Sequence, residues 1–262
     1  MVARVRASIR GLLLLLFASA LVDTPAFAAD EAGPLATPYR PSVSTPAALS
    51  APGWIEIEAG VGHAREGSSR LDTLPVTVKL AFTPDWGVRI GADVWQRQRD
   101  GSARSSGAGD TGIVVKRRFE ITETQALGLE AGATLPTAHG DTGVGKTAWG
   151  VNAIYSGDFG AWHTDLNATL TRLGARDPGA SRMAWLWAAA LSRPIDERWG
   201  IVGEWSGTRQ RGAGHSSQGL VAVSFAASRR LVLDVGAARS LRSGPSAWSA
   251  FAGFTWTAAR LF

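Results

Sequence analysis

The sequence predicts an all-β fold, a transmembrane antiparallel up-and-down β-barrel of about twelve strands within a range of ten to fourteen. Three observations predict it. From Trp54 to the end, apolar and polar residues alternate with a period of two, the spacing of strands whose successive side chains point to opposite faces. The connections between these stretches are short and long by turns, the loop asymmetry of outer-membrane barrels, with short periplasmic turns and longer outer loops. Aromatic residues gather at both ends of the stretches, where the two interfaces of a bilayer would lie.

Before Trp54 the chain has two parts. Arg4, Arg6 and Arg10 precede a short apolar core at residues 11–22, and Ala26-Phe27-Ala28 supplies a small-x-small cleavage pattern. Residues 1–28 therefore read as a secretory signal peptide, with the mature chain starting at Ala29. Residues 29–53 (ADEAGPLATPYRPSVSTPAALSAPG) are rich in Pro, Ala and Ser and lack periodicity. They read as an extended periplasmic leader or a plug segment.

Residues 54–262 carry the barrel. In residues 54–62 (WIEIEAGVG), Ile55, Ile57, Ala59 and Val61 share one face and Glu56 and Glu58 the other. Residues 74–82 set Leu74, Val76, Val78, Leu80 and Phe82 against Thr77 and Lys79. Residues 86–97 set Trp86, Val88, Ile90, Ala92 and Val94 against Arg89 and Asp93. The same pattern places strands near 110–120, 125–136, 147–157, 161–172, 182–193, 199–208, 217–227, 231–240 and 246–257. Tight turns fall at 84–85, 121–124, 158–160, 194–198 and 228–230, and long polar loops at 63–72, 98–109, 138–146, 173–181, 209–216 and 241–245. An even strand number leaves both termini on the periplasmic side, as insertion from inside requires.

The aromatic residues agree with this arrangement. Phe82, Trp86, Phe119, Tyr155, Phe159, Trp162, Trp199 and Phe225 flank the short turns, while Trp149, Trp185, Trp205 and Trp248 flank the long loops. The chain ends in Phe262, in phase with Phe254 and Trp256. A terminal aromatic on the lipid-facing side resembles the recognition signal read by the outer-membrane assembly machinery.

Composition excludes several classes. The 262 residues contain no cysteine, so neither disulfides nor thiolate metal sites are available. The formal charge of +5 falls to +3 once Arg4, Arg6, Arg10 and Asp23 leave with the signal peptide, and the basic residues are scattered. No nucleic-acid partner is expected from such a distribution. After the signal peptide no apolar stretch is long enough for a membrane-spanning helix. A soluble exported β-sandwich would also alternate, but would not place charges on an inner face.

Residues 140–147 spell G-x-x-x-x-G-K-T, the pattern of a phosphate-binding loop. Such a loop follows a buried strand and opens a helix whose N-terminus faces the phosphates. Here residues 148–156 (AWGVNAIYS) alternate as a strand, and export removes the chain from ATP. No nucleotide partner is expected.

One resemblance bears on function. G-A-G-D-T-G-I-V-V-K-R-R-F (107–119), L-P-T (135–137) before a Gly-rich loop, W-I-E-I-E-A-G (54–60) and L-N-A-T-L (166–170) resemble segments of the MetA-pathway of phenol degradation outer-membrane family. The resemblance spans about residues 53–262. It implies a transporter- or channel-type barrel associated with aromatic-compound catabolism, and it carries over no catalytic residues.

With the apolar face outward, the inward face carries Glu56, Glu58, Lys79, Arg89, Asp93, Lys116, Arg118, Glu120, Glu130, Asn152, His163, Asp165, Asn167, Glu204 and Asp234. These are the candidate lumen-lining residues. They form either a hydrophilic conduit or a set of charges that pair across strands and fill the interior. The leading expectation is a channel for small solutes, aromatic or apolar ones among them, embedded in outer-membrane lipid. The alternatives are a plugged structural or adhesive barrel and an outer-membrane hydrolase of lipase type. A hydrolase needs a serine activated by an oriented histidine. His63, His139 and His215 lie in or beside predicted loops, and His163 has Asp165 nearby but no assigned serine. No catalytic residue, metal site or cofactor is expected.

Overall fold

The computed structural model describes residues 33–139, 142–241 and 247–262; the expected signal peptide lies outside them. Thirteen strands follow one another: β1 (Trp54–Glu66), β2 (Ser69–Ala81), β3 (Trp86–Asp100), β4 (Ala103–Gly107), β5 (Thr111–Thr122), β6 (Gln125–Leu135), β7 (Ala148–Phe159), β8 (Trp162–Arg172), β9 (Met183–Pro194), β10 (Trp199–Gln210), β11 (Gly214–Ser228), β12 (Leu231–Ser240) and β13 (Ala247–Arg260). Twelve of them form a closed antiparallel barrel. Each pairs with its sequence neighbour, β3 passes directly to β5, and β1 closes on β13. Closure leaves no unpaired sheet edge around the wall.

β4 is the element the alternation does not reveal. It pairs with the end of β3 from Gln96↔Gly107 to Asp100↔Ala103, making a ribbon out of the expected loop 98–109. The expected loops 63–72 and 209–216 are corrected in the same way: β1 and β2 stay paired to Glu66↔Ser69, and β10 and β11 to Gln210↔Gly214. His63 and His215 consequently lie on strands. The physical reason is that period-two hydrophobicity marks only the part of a strand with one apolar face. Where both faces meet water the pattern vanishes while backbone pairing continues. Among the described residues, the connections at 138–147 and 173–182 remain free of strand.

The faces follow the alternation. Ile90, Val115, Leu129, Val151, Ile201 and Val235 are exposed on the outside, whereas Glu56, Lys79, Lys116, Glu130 and Asp234 are buried on the inside. An exposed apolar surface around a polar interior inverts a soluble protein and matches a wall surrounded by hydrocarbon. Exposed aromatics mark both ends: Phe82, Trp86, Phe119, Phe159, Trp162 and Trp199 near the short turns, and Trp149, Trp185, Trp205 and Trp248 near the long connections. Four register shifts interrupt the ladders among the described residues. One sits between Leu74 and Pro75 opposite Asp93–Trp95, so that Val94 and Trp95 are both exposed; another skips Ala258 opposite Ile55–Glu56, and two lie beside short turns, at Glu120/Thr122 and Ala226/Ser228.

Residues 33–53 lie inside the barrel. The segment begins at the short-turn end, where Ala36 N–H donates to the Arg229 carbonyl at 2.9 Å. It returns to the same end, where Gly53 N–H donates to the Ala81 carbonyl at 2.9 Å and Leu261 N–H to the Gly53 carbonyl at 2.7 Å. Gly53 has φ +78°, and a Cβ there would fall 2.5 Å from the Phe262 carbonyl oxygen. Only glycine combines that backbone conformation with so close an approach.

Candidate functional site

The interior is organised around residues 33–53. β1 presents Glu56 and Glu58, two positions apart and therefore on the same face, and β2 places Lys79 opposite Glu56. Lys79 Nζ lies 2.6 Å from Glu56 Oε1 and 2.7 Å from Glu58 Oε1, and donates to the Thr37 carbonyl at 2.6 Å. The carboxylates also accept from the segment's backbone: Thr37 N–H reaches Glu56 Oε2 at 2.7 Å and Tyr39 N–H reaches Glu58 Oε1 at 2.6 Å. On β13, Thr257 and Thr255 donate to Glu56 and Glu58 at 3.0 and 3.2 Å. Burying two carboxylates is costly unless nearly every lone pair is engaged, and here the segment supplies part of that engagement.

A second cluster faces it. Glu130 on β6 lies 3.2 Å from Lys116 Nζ on β5 and 3.3 Å from Arg89 Nη2 on β3. Asn152 on β7 donates to Glu130 at 3.0 Å and to Asn167 Oδ1 at 3.0 Å. Lys116 also donates to the Pro46 carbonyl at 2.7 Å. Tyr39 joins the two clusters. Its ring is held between Lys79 and Lys116, each ammonium 3.9 Å from the ring centroid, while its hydroxyl donates to the Ala48 carbonyl at 2.8 Å. Cation–π attraction is strongest at desolvated sites such as this one.

The rest of the segment is fastened strand by strand. Arg40 makes a two-bond contact with Asp234 on β12, at 3.1 and 3.0 Å. Ser44 donates both its N–H and its hydroxyl to Glu204 Oε2 on β10, at 2.8 and 2.9 Å. Thr45 N–H donates to Asn167 Oδ1 on β8, and Asn167 returns a bond to the Thr45 carbonyl at 2.9 Å. Ala47 N–H donates to Ser156 Oγ on β7 at 2.7 Å, and Ala47 packs on Ala126 and Ile154.

Glu56, Glu58, Lys79, Lys116, Glu130, Asn152, Asn167, Glu204 and Asp234 are thus buried and in contact with one another or with the segment. Arg89, Asp93, Arg118, His163 and Asp165 are half-buried. Arg118 pairs with Glu120 at 2.9 Å, and Glu120 is exposed at the short-turn mouth, apart from these clusters. Asp93 takes part through its backbone, whose carbonyl accepts Gly109 N–H at 2.8 Å. Four carboxylates (Glu56, Glu58, Glu130, Asp234) and four cations (Lys79, Lys116, Arg89, Arg40) make up the mid-height pairs, so their formal charges cancel.

His163 has a serine in its neighbourhood, Ser156, but the order is wrong for nucleophile activation. Ser156 Oγ donates to Asp165, and the two ring nitrogens of His163 face Asp158 at 2.5 Å and Asp165 at 3.2 Å. The acid stands between the hydroxyl and the imidazole, so the imidazole cannot take the hydroxyl proton directly as a general base must. Among the described residues no group of three or more His, Asp or Glu is gathered closely enough to hold a metal ion.

The Gly-rich loop after β6 leads from Thr147 into β7 and not into a helix; Gly140 and Asp141 lie outside the described residues. Asp110 holds this loop, accepting Ala138 N–H at 3.1 Å and Val144 N–H at 2.9 Å. The G-A-G-D motif therefore serves a clamp between neighbouring connections.

Sequence reasoning passed over Tyr39, Arg40, Ser44 and Thr45. Tyr39 and Arg40 are the one aromatic and the one basic residue in residues 29–53, and that was the available signal. Ser156, Thr255 and Thr257 share the inward phase of their strands and could have been found by parity.

Several cavities border the segment, among them two that lie toward opposite ends of the barrel. Toward the long-loop end lies a cavity of about 530 Å³ bordered below by Val43. Toward the short-turn end lies one of about 640 Å³ bordered by Ser42, Ser44 and Pro46, with His163 and Asp165 on its wall. At the bend of residues 42–44 the separation between them is one chain thick.

No family model matches the chain, and no curated protein matches it in sequence. Solved structures match in fold. The COG4313 outer membrane channel from Pseudomonas putida F1 superposes with a TM-score of 0.65 at 12% identity, over 80% of this chain and 97% of that one. The NanC porin gives 0.57 at 8% identity, over 77% and 100%. The CymD monoaromatic hydrocarbon channel gives 0.52 at 9% identity, over 81% and 90%. At these identities the similarity is one of fold, and the resemblance to the phenol-degradation family is carried by its short motifs alone.

Proposed function

We propose that the protein is an outer-membrane channel for small solutes whose path is closed at mid-height by residues 33–53. One observation carries this reading: at the bend of residues 42–44 a single thickness of chain lies between two cavities, Val43 on one and Ser42 and Ser44 on the other. The exposed apolar wall between two aromatic belts supports a lipid surround. The fold shared with channels and porins supports a transport role. On this reading residues 1–28 direct export, Phe262 is presented to the assembly machinery, and residues 33–53 act as a plug.

The plug is inserted as a loop with both ends at one mouth, so it can withdraw without being threaded through the wall. Its fastenings are side-chain hydrogen bonds and ion pairs, each worth about 1–3 kcal/mol, and they can be loosened singly. Arg40→Ala removes the two-bond contact to Asp234. In proteoliposomes of the full chain, osmotic swelling in small uncharged solutes is expected to be slow for the parent and several-fold faster for Arg40→Ala. The extent of the polar network favours a second reading, a permanently plugged structural barrel. Equal, negligible swelling for parent and variant would select it.

A further inference from the structure

We infer that the cavity at the long-loop end is a binding site for an uncharged, hydroxyl-bearing solute of about monosaccharide size. This rests on the channel reading for its role as an entrance, though not for the binding itself. Its volume of about 530 Å³ lies in the range of about 300–1,000 Å³ usual for ligand pockets.

The wall formed by β10 and β11 is a ladder of neutral polar groups. Ser206 stands directly opposite Gln218, and Thr208 opposite Ser216. Gln218 Nε2 donates to Ser206 Oγ at 3.3 Å, and the hydroxyls of Thr208 and Ser216 share a bond of 2.7 Å. A hydroxyl both donates and accepts, so such a ladder can match ligand hydroxyls in either sense. Ser249 and Ser69 continue the neutral lining across the cavity. Val43, Leu71, Leu186 and Ala238 add apolar surface, suited to the C–H face of a sugar ring.

Charge is arranged against ions. The charged residues bordering this cavity, Arg65, Glu66 and Arg70, are exposed and of mixed sign. The ionised groups deeper in the lumen are engaged with one another and with the segment. An ion entering here would meet only exposed, water-screened charges of mixed sign, which offset its lost hydration less well than partners offset that of a neutral hydroxyl.

The test is isothermal titration calorimetry on the detergent-folded full chain with three near-isosteric pyranose probes: glucose, the anion glucuronate and the cation glucosamine. Glucose is expected to bind, and each charged probe to bind about tenfold more weakly, a difference of about 1.4 kcal/mol. The double variant Thr208→Val/Gln218→Leu should weaken glucose by about tenfold while keeping the parent's heat-modifiable gel mobility. If it loses that mobility, Gln218→Glu replaces it, with glucose expected to weaken relative to glucosamine. No measurable glucose binding, equal binding of a charged probe, or variants that bind glucose like the parent would overturn the proposal. Glucose binding without solute flux would leave the site standing and remove the channel reading.

Discussion

Tyr39 does the most of any single residue in the segment. Its ring fills the gap between two ammonium groups that would otherwise repel across it, and its hydroxyl ties the segment back on itself. Tyr39→Phe keeps the ring and should hold the segment in place; Tyr39→Ala gives up both cation–π contacts, roughly 2 kcal/mol each when desolvated. The check is labelling of Val43→Cys in each background by a thiol reagent, made clean by the absence of native cysteine. Labelling should accelerate with Tyr39→Ala and stay unchanged with Tyr39→Phe. Lys79 makes the complementary point. Lys79→Met leaves Glu56 and Glu58 buried without their cation, and breaking such a pair costs about 3–5 kcal/mol, readable as a lower urea midpoint of the folded band on gels.

At the scale of elements, the strands were legible because each crosses a boundary between apolar and polar surroundings, and that boundary is written into alternate residues. Ile90 on β3 is an example, exposed outside while Arg89 points inward. A lysine at Ile90 should impair insertion by about 2–4 kcal/mol, seen as a loss of the heat-modifiable form. β4 and the outer ends of β1, β2, β10 and β11 were not legible, since beyond the apolar band nothing distinguishes a paired ribbon from a loop. The connections carry their own constraints. A Cβ at Gly107 would lie 2.0 Å from the His139 carbonyl oxygen, so Gly107→Ala must push the 138–147 connection aside. Limited proteolysis should cut there faster in the variant while the barrel melts as before.

Across the whole molecule the sequence foretold a polar interior but not what occupies it. The fastenings join residues far apart in the chain, Ser44 to Glu204 and Arg40 to Asp234, and a Pro- and Ser-rich stretch shows no periodicity from which to infer them. The candidate lumen residues were legible as a face; their grouping around Tyr39 was not, because parity gives direction and not height. On the channel reading, this segment is the barrier in the barrel. Single-channel current in planar bilayers tests it most directly, comparing the full chain with its Tyr39→Ala variant at matched insertion. A nearly silent parent and discrete, long-lived steps in the variant are the predicted result. A parent that conducts with the same unitary steps as the variant would contradict it, because ions would then have a path that the segment does not close.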